Sequence, residues 1–201
     1  MFRPTMSRPE QERRMTIFGE TLFTPRLRLR KITADDLPLL VAWSNSEDAH
    51  GPYLTPDRLN LETGREKIES GAFWSEKNKT FLIERRDGTP VGLINYWLRS
   101  EKRCCAVIKV KITEPDQRGK GFGTEAQKYL ILNLFDRLKV EEVEMYTDIN
   151  NKAQQRCLGK LGFDLVESLT YDDHQVRRLG HLYRLPEARY HHHPVYRYHY
   201  E

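Results

Sequence analysis

With 201 residues, 38% of them hydrophobic and 31% charged, the chain is large enough for one compact domain and leaves a second of ordinary size little room. The composition excludes collagen, a coiled coil or a disordered bulk; no apolar run reaches the roughly 18 residues of a membrane span and no apolar segment follows the basic start as in a signal peptide, so a soluble, cytoplasmic protein is expected. The excess of 33 basic over 29 acidic residues is modest and concentrated near the start, around Arg3, Arg8, Arg13, Arg14, Arg26, Arg28, Arg30 and Lys31, which fits a solvated extension and an edge strand and does not demand a nucleic acid.

Residues 1–20 show no sustained period and read as an N-terminal extension; a domain over 21–188 and a His/Tyr-rich tail over 189–201 complete the division. Leu27 and Leu29 alternate with Arg26, Arg28 and Arg30 as a half-exposed strand does, and Thr33 to Asp36 then offers a helix start before Leu37, Leu40 and Trp43. Gly51, Pro52 and Pro56 mark His50 to Leu59 as loop, and a short helix follows within Asn60 to Phe73. Strands are expected at Lys79 to Arg85, Val91 to Leu98 and Cys104 to Thr113, the first two joined by a turn at Asp87-Gly88, so that an antiparallel meander forms. From Gly121 to Leu138 the residues Ala126, Leu130, Leu134 and Leu138 make one buried helical stripe. A strand at Val140 to Thr147, a helix at Lys152 to Leu161 stopped by Gly162, and strands at Phe163 to Leu169 and Gln175 to Leu185 close the domain. Arg189 to Glu201 lacks apolar spacing and reads as a tail or an arm laid on a partner.

The sharpest chemical feature is Arg118-Gly119-Lys120-Gly121-Phe122-Gly123-Thr124, between a strand and the best helix. Three alternating glycines let the backbone turn tightly and aim several N–H groups at one point, where the helix N-terminus already carries partial positive charge. Such a loop cradles phosphate, and Arg118 and Lys120 add countercharge. A P-loop would need Lys next to Ser or Thr after its second glycine, and here Gly123 directly precedes Thr124; a dinucleotide loop would follow the first strand of a βαβ unit, and here it follows a meander.

In this setting, Arg118-x-x-Gly121-x-Gly123 together with Asn151 to Phe163, ending Lys160-Leu161-Gly162-Phe163, resembles the acetyl-CoA site of the GNAT acetyltransferases. Arg26-Leu27-Arg28-Leu29-Arg30, the run Gly121 to Ala126 and the spacing from Asn151 to Gly162 are similar to the RimJ/RimL-like branch, over about Thr24 to Leu185. The resemblance implies a mixed α/β fold whose mostly antiparallel sheet is splayed at the site of acetyl-CoA and flanked by helices. It implies that Arg118 to Thr124 holds the CoA pyrophosphate and that the strand end around Ile112 and Thr113 hydrogen-bonds the pantetheine arm and polarises the thioester. Asn151 would touch the cofactor from the next crossover. The acceptor would be an amine, on a protein N-terminus, a polyamine or a small molecule, and the family leaves room for a homodimer.

The amine must lose a proton before attack, which a carboxylate assists, and the leaving thiolate gains from a donor. Glu144, Tyr146 and Asp148 share one strand face. Some relatives place a glutamate base five residues before the asparagine; Tyr146 stands there, so Glu144 is the expected base, with Tyr146 beside it. The sulfur-side tyrosine of many relatives is Leu158 here, and a frequent serine is Gln154, so the acid is unassigned. An inactive CoA-binding module of the same fold is the rival reading. Consecutive His191, His192 and His193 share no face, and the three cysteines lack ligand spacing, so no metal is expected. Of the tryptophans, Trp74 is the candidate for the acceptor side, and the acceptor choice falls to Asn45 to Phe73 and the C-terminal strands.

Overall fold

The computed structural model describes residues 21–100, 104–173 and 175–197, so the N-terminal extension and the last four residues lie outside the described residues. In chain order the elements are β1 Thr21–Phe23, β2 Leu27–Lys31, a 3-10 turn at Ala34–Asp36, α1 Leu37–Asn45, α2 Glu47–His50, α3 Leu61–Glu69, β3 Asn78–Arg85, β4 Pro90–Leu98 and β5 Cys105–Ile112. There follow α4 Phe122–Asp136, β6 Glu142–Asp148, α5 Lys152–Lys160, β7 Asp164–Asp173, β8 Val176–Pro186, α6 Glu187–His192 and a 3-10 turn at Pro194–Tyr196. The strands form one sheet in the order β1-β2-β3-β4-β5-β6-β8-β7. Every neighbouring pair is antiparallel except β5 and β6. The expected mixed α/β fold with a mostly antiparallel, splayed sheet is therefore what the chain adopts.

The splay has a simple origin in register. β5 and β6 pair only at Cys105 with Glu142, Ala106 with Val143 and Val107 with Glu144. Beyond that point β5 continues along β4 to Ile112, while β6 continues along β8 to Asp148. Each diverging strand thus keeps its outer partner and presents an unpaired inner edge, which a closed sheet would not tolerate.

Two helical layers cover the sheet. On one face α4 and α5 bury Ala126, Leu130, Leu134, Leu158 and Leu161 against Ile94, Ile108 and Val143. On the other, α1 and α2 set Leu40, Trp43 and Ala49 over Leu82 and Leu93. The stripe on α4 ends earlier than its spacing suggests: the helix stops at Asp136, and Leu138 is 37% exposed. The chain turns there through Lys139, whose φ of 57° is incompatible with a further helical turn.

Of the segment expected as a tail or an arm laid on a partner, residues 189–197 pack on their own domain. Tyr190 stacks on Phe135 with ring centroids 4.3 Å apart and donates its hydroxyl to Asp136 at 2.8 Å. Tyr196 donates to the Leu161 carbonyl at 2.8 Å, and the His193 ring lies so close over Gly162 that a Cβ there would meet it at 2.7 Å. Hydropathy spacing misses this because two tyrosines bury large area while satisfying their own hydroxyls. The Tyr190→Ala variant should lose about 3 kcal/mol of unfolding free energy in urea, whereas a true tail would leave the midpoint unmoved.

Candidate active site

The β5 side of the split is set by alternation of the peptide groups. The Thr113 amide donates to Val91 at 3.0 Å and its hydroxyl to the same carbonyl at 3.2 Å, and the Cys105 carbonyl accepts from Arg99 on the same side. The odd-numbered residues therefore turn their backbone groups to β4, and Ile108, Val110 and Ile112 turn theirs into the gap. Thr113, expected to contact the pantetheine arm, is buried with its amide and hydroxyl bonded to Val91, whereas Val110 and Ile112 both line the loop cavity. Gly92 permits the close approach of β4 to β5, since a Cβ there would lie 2.1 Å from the Lys111 carbonyl oxygen.

At the end of β5 the glycine loop turns into α4. Gly119 and Gly121 adopt φ of 73° and 83°, a region L side chains avoid. Among the described residues, no protein acceptor receives the amides of Gly119 to Thr124; the first amide of the run to be bonded is that of Glu125, which donates to Gly121 at 3.0 Å. The cations near the loop hold it in shape. Arg118 donates through Nε to the Ile112 carbonyl at 2.9 Å and also to the Asp48 carbonyl. Arg26 donates to the Lys120 carbonyl at 2.9 Å and pairs with Glu125 at 2.6 Å, and Glu125 also accepts from Thr24. The Lys120 ammonium reaches Gln117 at 3.4 Å.

These amides border a cavity of about 490 Å³. Ile112, Arg118, Gly119, Gly121, Phe122, Gly123, Thr124 and Asn151 all line it, and Thr113 and Lys120 do not. Asn151 caps α5 by accepting from the Gln154 amide at 3.1 Å. Gln154 in turn donates to Gln127 at 2.7 Å. Cys157 lies on this wall, with its thiol raised by burial.

A second cavity, of about 220 Å³, fills the split itself. Because it lies in the plane of the sheet, both faces of β6 reach it: Met145 and Thr147 line it together with Tyr146 and Asp148. Tyr53 and Leu54 from the loop after α2, and Tyr171 to Asp173 at the end of β7, close it. The Thr147 hydroxyl is buried and has no hydrogen-bond partner among the described residues. Trp97 reaches this cavity; Trp74 instead packs edge-on against Phe81 with centroids 5.0 Å apart.

Glu144 stands two residues too early, at the last closed rung, and does not line the split. Its carboxylate accepts from Arg99 at 2.8 Å and from Arg184 at 2.7 Å. Burial by itself would raise the Glu144 carboxyl, but the hydrogen bonds of Arg184 and Arg99 outweigh it and hold it below the usual range. A carboxylate so held is a poor proton acceptor. Arg99 also donates to the Tyr146 hydroxyl, leaving the phenolic proton of Tyr146 to other acceptors. Asp173 is likewise committed, to Lys109 at 2.9 Å, Arg178 at 3.2 Å and the Thr55 amide at 2.7 Å. Asp148 accepts from the Asn150 amide at 2.8 Å and stands 3.9 Å from Arg178. The free edge of the split, and hence which β6 carboxylate lines it, depends on where β6 leaves β5, which side-chain alternation does not encode.

The Glu144→Gln variant should unfold about 3 kcal/mol more easily at neutral pH, since it leaves two guanidinium groups facing a neutral amide in a buried site. The depressed carboxyl contributes stability that is complete above the free-glutamate value of 4.5 and is lost as pH falls through the lower folded value. Urea midpoints should therefore converge for the two proteins in acid; a constant gap from pH 7 down to acid unfolding would contradict this role.

Comparison with known proteins gives the same site a family. Residues 26–164, more than half of the chain, match the family described as an acetyltransferase (GNAT) domain. A mycothiol acetyltransferase of Kytococcus sedentarius is 33% identical over 119 residues, 59% of this chain and 38% of that protein, so the chain spans well under half of this relative's length. Among solved structures, Mycobacterium smegmatis RimJ in complex with CoA-disulfide superposes with a TM-score of 0.68 at 18% identity, covering 81% of this chain and 82% of that one. A GNAT-family acetyltransferase from Bacillus anthracis superposes with a TM-score of 0.70 at 17% identity, covering 84% and 99%. With the splayed sheet and the open amides of the glycine loop already in place, the matched domain makes the chain a member of the GNAT acetyltransferases, enzymes that take their acetyl group from acetyl-CoA.

Proposed function

We propose that the chain, as a RimJ/RimL-like member of the family, transfers the acetyl group of acetyl-CoA directly to a primary amine within one ternary complex. The single observation that carries this reading is the run of unpartnered amides from Gly119 to Thr124 beside a cavity that shares Tyr53, Val110, Asn151 and Gln154 with the split. Amides converging at a helix N-terminus suit a diphosphate. From there the inner edge of β5 offers the amides of Ile112 and Val110 to the carbonyls of an extended arm and a thioester.

Acetyl-CoA supplies the thioester, whose C–S bond breaks as a C–N bond forms. The acceptor nitrogen sheds a proton and the departing sulfur gains one. Asp148 is the carboxylate of the split best placed to take the first, in place of Glu144. Tyr146 and the unpartnered Thr147 hydroxyl are the donors available to the second. A protein N-terminus, a polyamine or a small amine fits this chemistry. Among the described residues no helix is long and apolar enough to cross a membrane.

Gly121→Glu should weaken acetyl-CoA binding by about two orders of magnitude, because a side chain at φ 83° strains the turn, meets the Arg26 guanidinium at 3.3 Å and brings a negative charge beside the diphosphate; calorimetry on the folded variant measures it, and unchanged affinity would remove the cradle. Asp148→Asn should lower the rate constant for free-thiol release by about 10²-fold while acetyl-CoA affinity holds. Binding without thiol release from any amine would favour the inactive module.

A further inference from the structure

A third cavity, of about 240 Å³, lies over β3, β4 and β5 beside α3. Its floor is built from polar side chains in register: Thr80 opposes Asn95 and Asn95 opposes Lys109, a row across three strands. One step along, Leu82 and Leu93 lead to Lys111. Lys67 reaches in from α3, and His50 and Asp57 complete the wall. Three lysines thus meet one aspartate. The carboxylate partner of Lys109, Asp173, lies in the neighbouring split and is shared with Arg178.

Lys111 is the most confined of the three. Its side chain is 11% exposed, and its ammonium stands 2.9 Å from His50 Nε2 and 3.8 Å from Asp57. The His50 Nδ1 lies 2.9 Å from the Ser46 carbonyl, so the ring donates there and offers the Nε2 lone pair to Lys111. Burial pushes the imidazole down and disfavours the Lys111 ammonium as well, which Asp57 at 3.8 Å only partly offsets. A buried ammonium gains most from an acceptor carrying full negative charge. Leu54 and Val110 line this cavity, the split and the loop cavity alike, so a group seated here stands next to the place of transfer.

We infer that this cavity binds an oxyanion carried by the acceptor, whose amine lies toward Asp148 in the split. The acceptor is then a small zwitterion, an amine bearing a carboxylate or a phosphate, and not a polyamine. The inference rests on the transferase reading of the preceding section and narrows its acceptor.

Matched pairs test it: alanine against ethylamine, leucine against isopentylamine, and phosphoethanolamine against ethanolamine, each assayed for free-thiol release from acetyl-CoA. The oxyanion-bearing member of at least one pair should be preferred by about tenfold or more in kcat/KM, as a charge-assisted hydrogen bond warrants. Preference within the amino-acid pairs identifies a carboxylate, and within the phosphoethanolamine pair a phosphate. Lys111→Met should collapse that preference, a ratio that loss of folded protein or of acetyl-CoA binding cannot alter. Equal or inverted preference in all pairs, or a ratio untouched by Lys111→Met, overturns the inference. If no amine reacts, calorimetry on the protein–CoA complex decides: binding of an oxyanion-bearing member that Lys111→Met abolishes upholds the site while removing the transferase reading, and binding of none overturns the site.

Discussion

The molecule is organised around one broken contact, the loss of pairing between β5 and β6 after Val107 and Glu144. Two strands that part while remaining bonded to their outer neighbours expose facing edges of backbone polar groups inside a folded domain. Such edges call for a partner, and a long, flexible, amide-bearing substrate arm suits them better than solvent. The contact is closed firmly on one side of the break: Glu144 ties Arg99 from beyond β4 to Arg184 on β8, so the last rung cannot drift. Glu144, expected as the substitute base on the polar face of its strand, is thus the clasp at the closed end of the split.

The glycine loop follows the same division of labour. Its cations fold back onto carbonyls and onto Glu125, fixing the backbone so that its amides, and not mobile side chains, face the cavity. Preorganised dipoles need no reorientation when charge arrives. Lys109, Lys111 and His50 over β5 add a second electrostatic feature, and His50 and Lys111 stand where their cavity meets that of the glycine loop.

Much of this was legible in the sequence because short-range physics encodes it. Period-two and period-3.6 patterns mark β2 to β6 and α4, and Gly119 and Gly121 stand where a turn with left-handed backbone explains them, with Gly123 in the first turn of α4. What escaped depends on long-range geometry. Whether an amide faces β4 or the gap is set by strand register, so Thr113 was indistinguishable from Ile112 until pairing with Val91 was known. Glu144, Tyr146 and Asp148 share a face, yet the rung at which the sheet opens separates a clasp from a candidate base. Tyr190 and Tyr196 carry no apolar period, and their burial depends on Phe135, Asp136 and Leu161, distant in the chain.

Hydrogen–deuterium exchange of single amides in the presence and absence of acetyl-CoA tests the central claim most directly, because it reads the proposed donors themselves. Amides without a protein acceptor exchange quickly, and those that gain one slow. The account requires that acetyl-CoA protect Gly119 to Thr124 together with Val110 and Ile112, while Thr113, already bonded to Val91, changes little. Protection elsewhere with these amides still exchanging freely would contradict it.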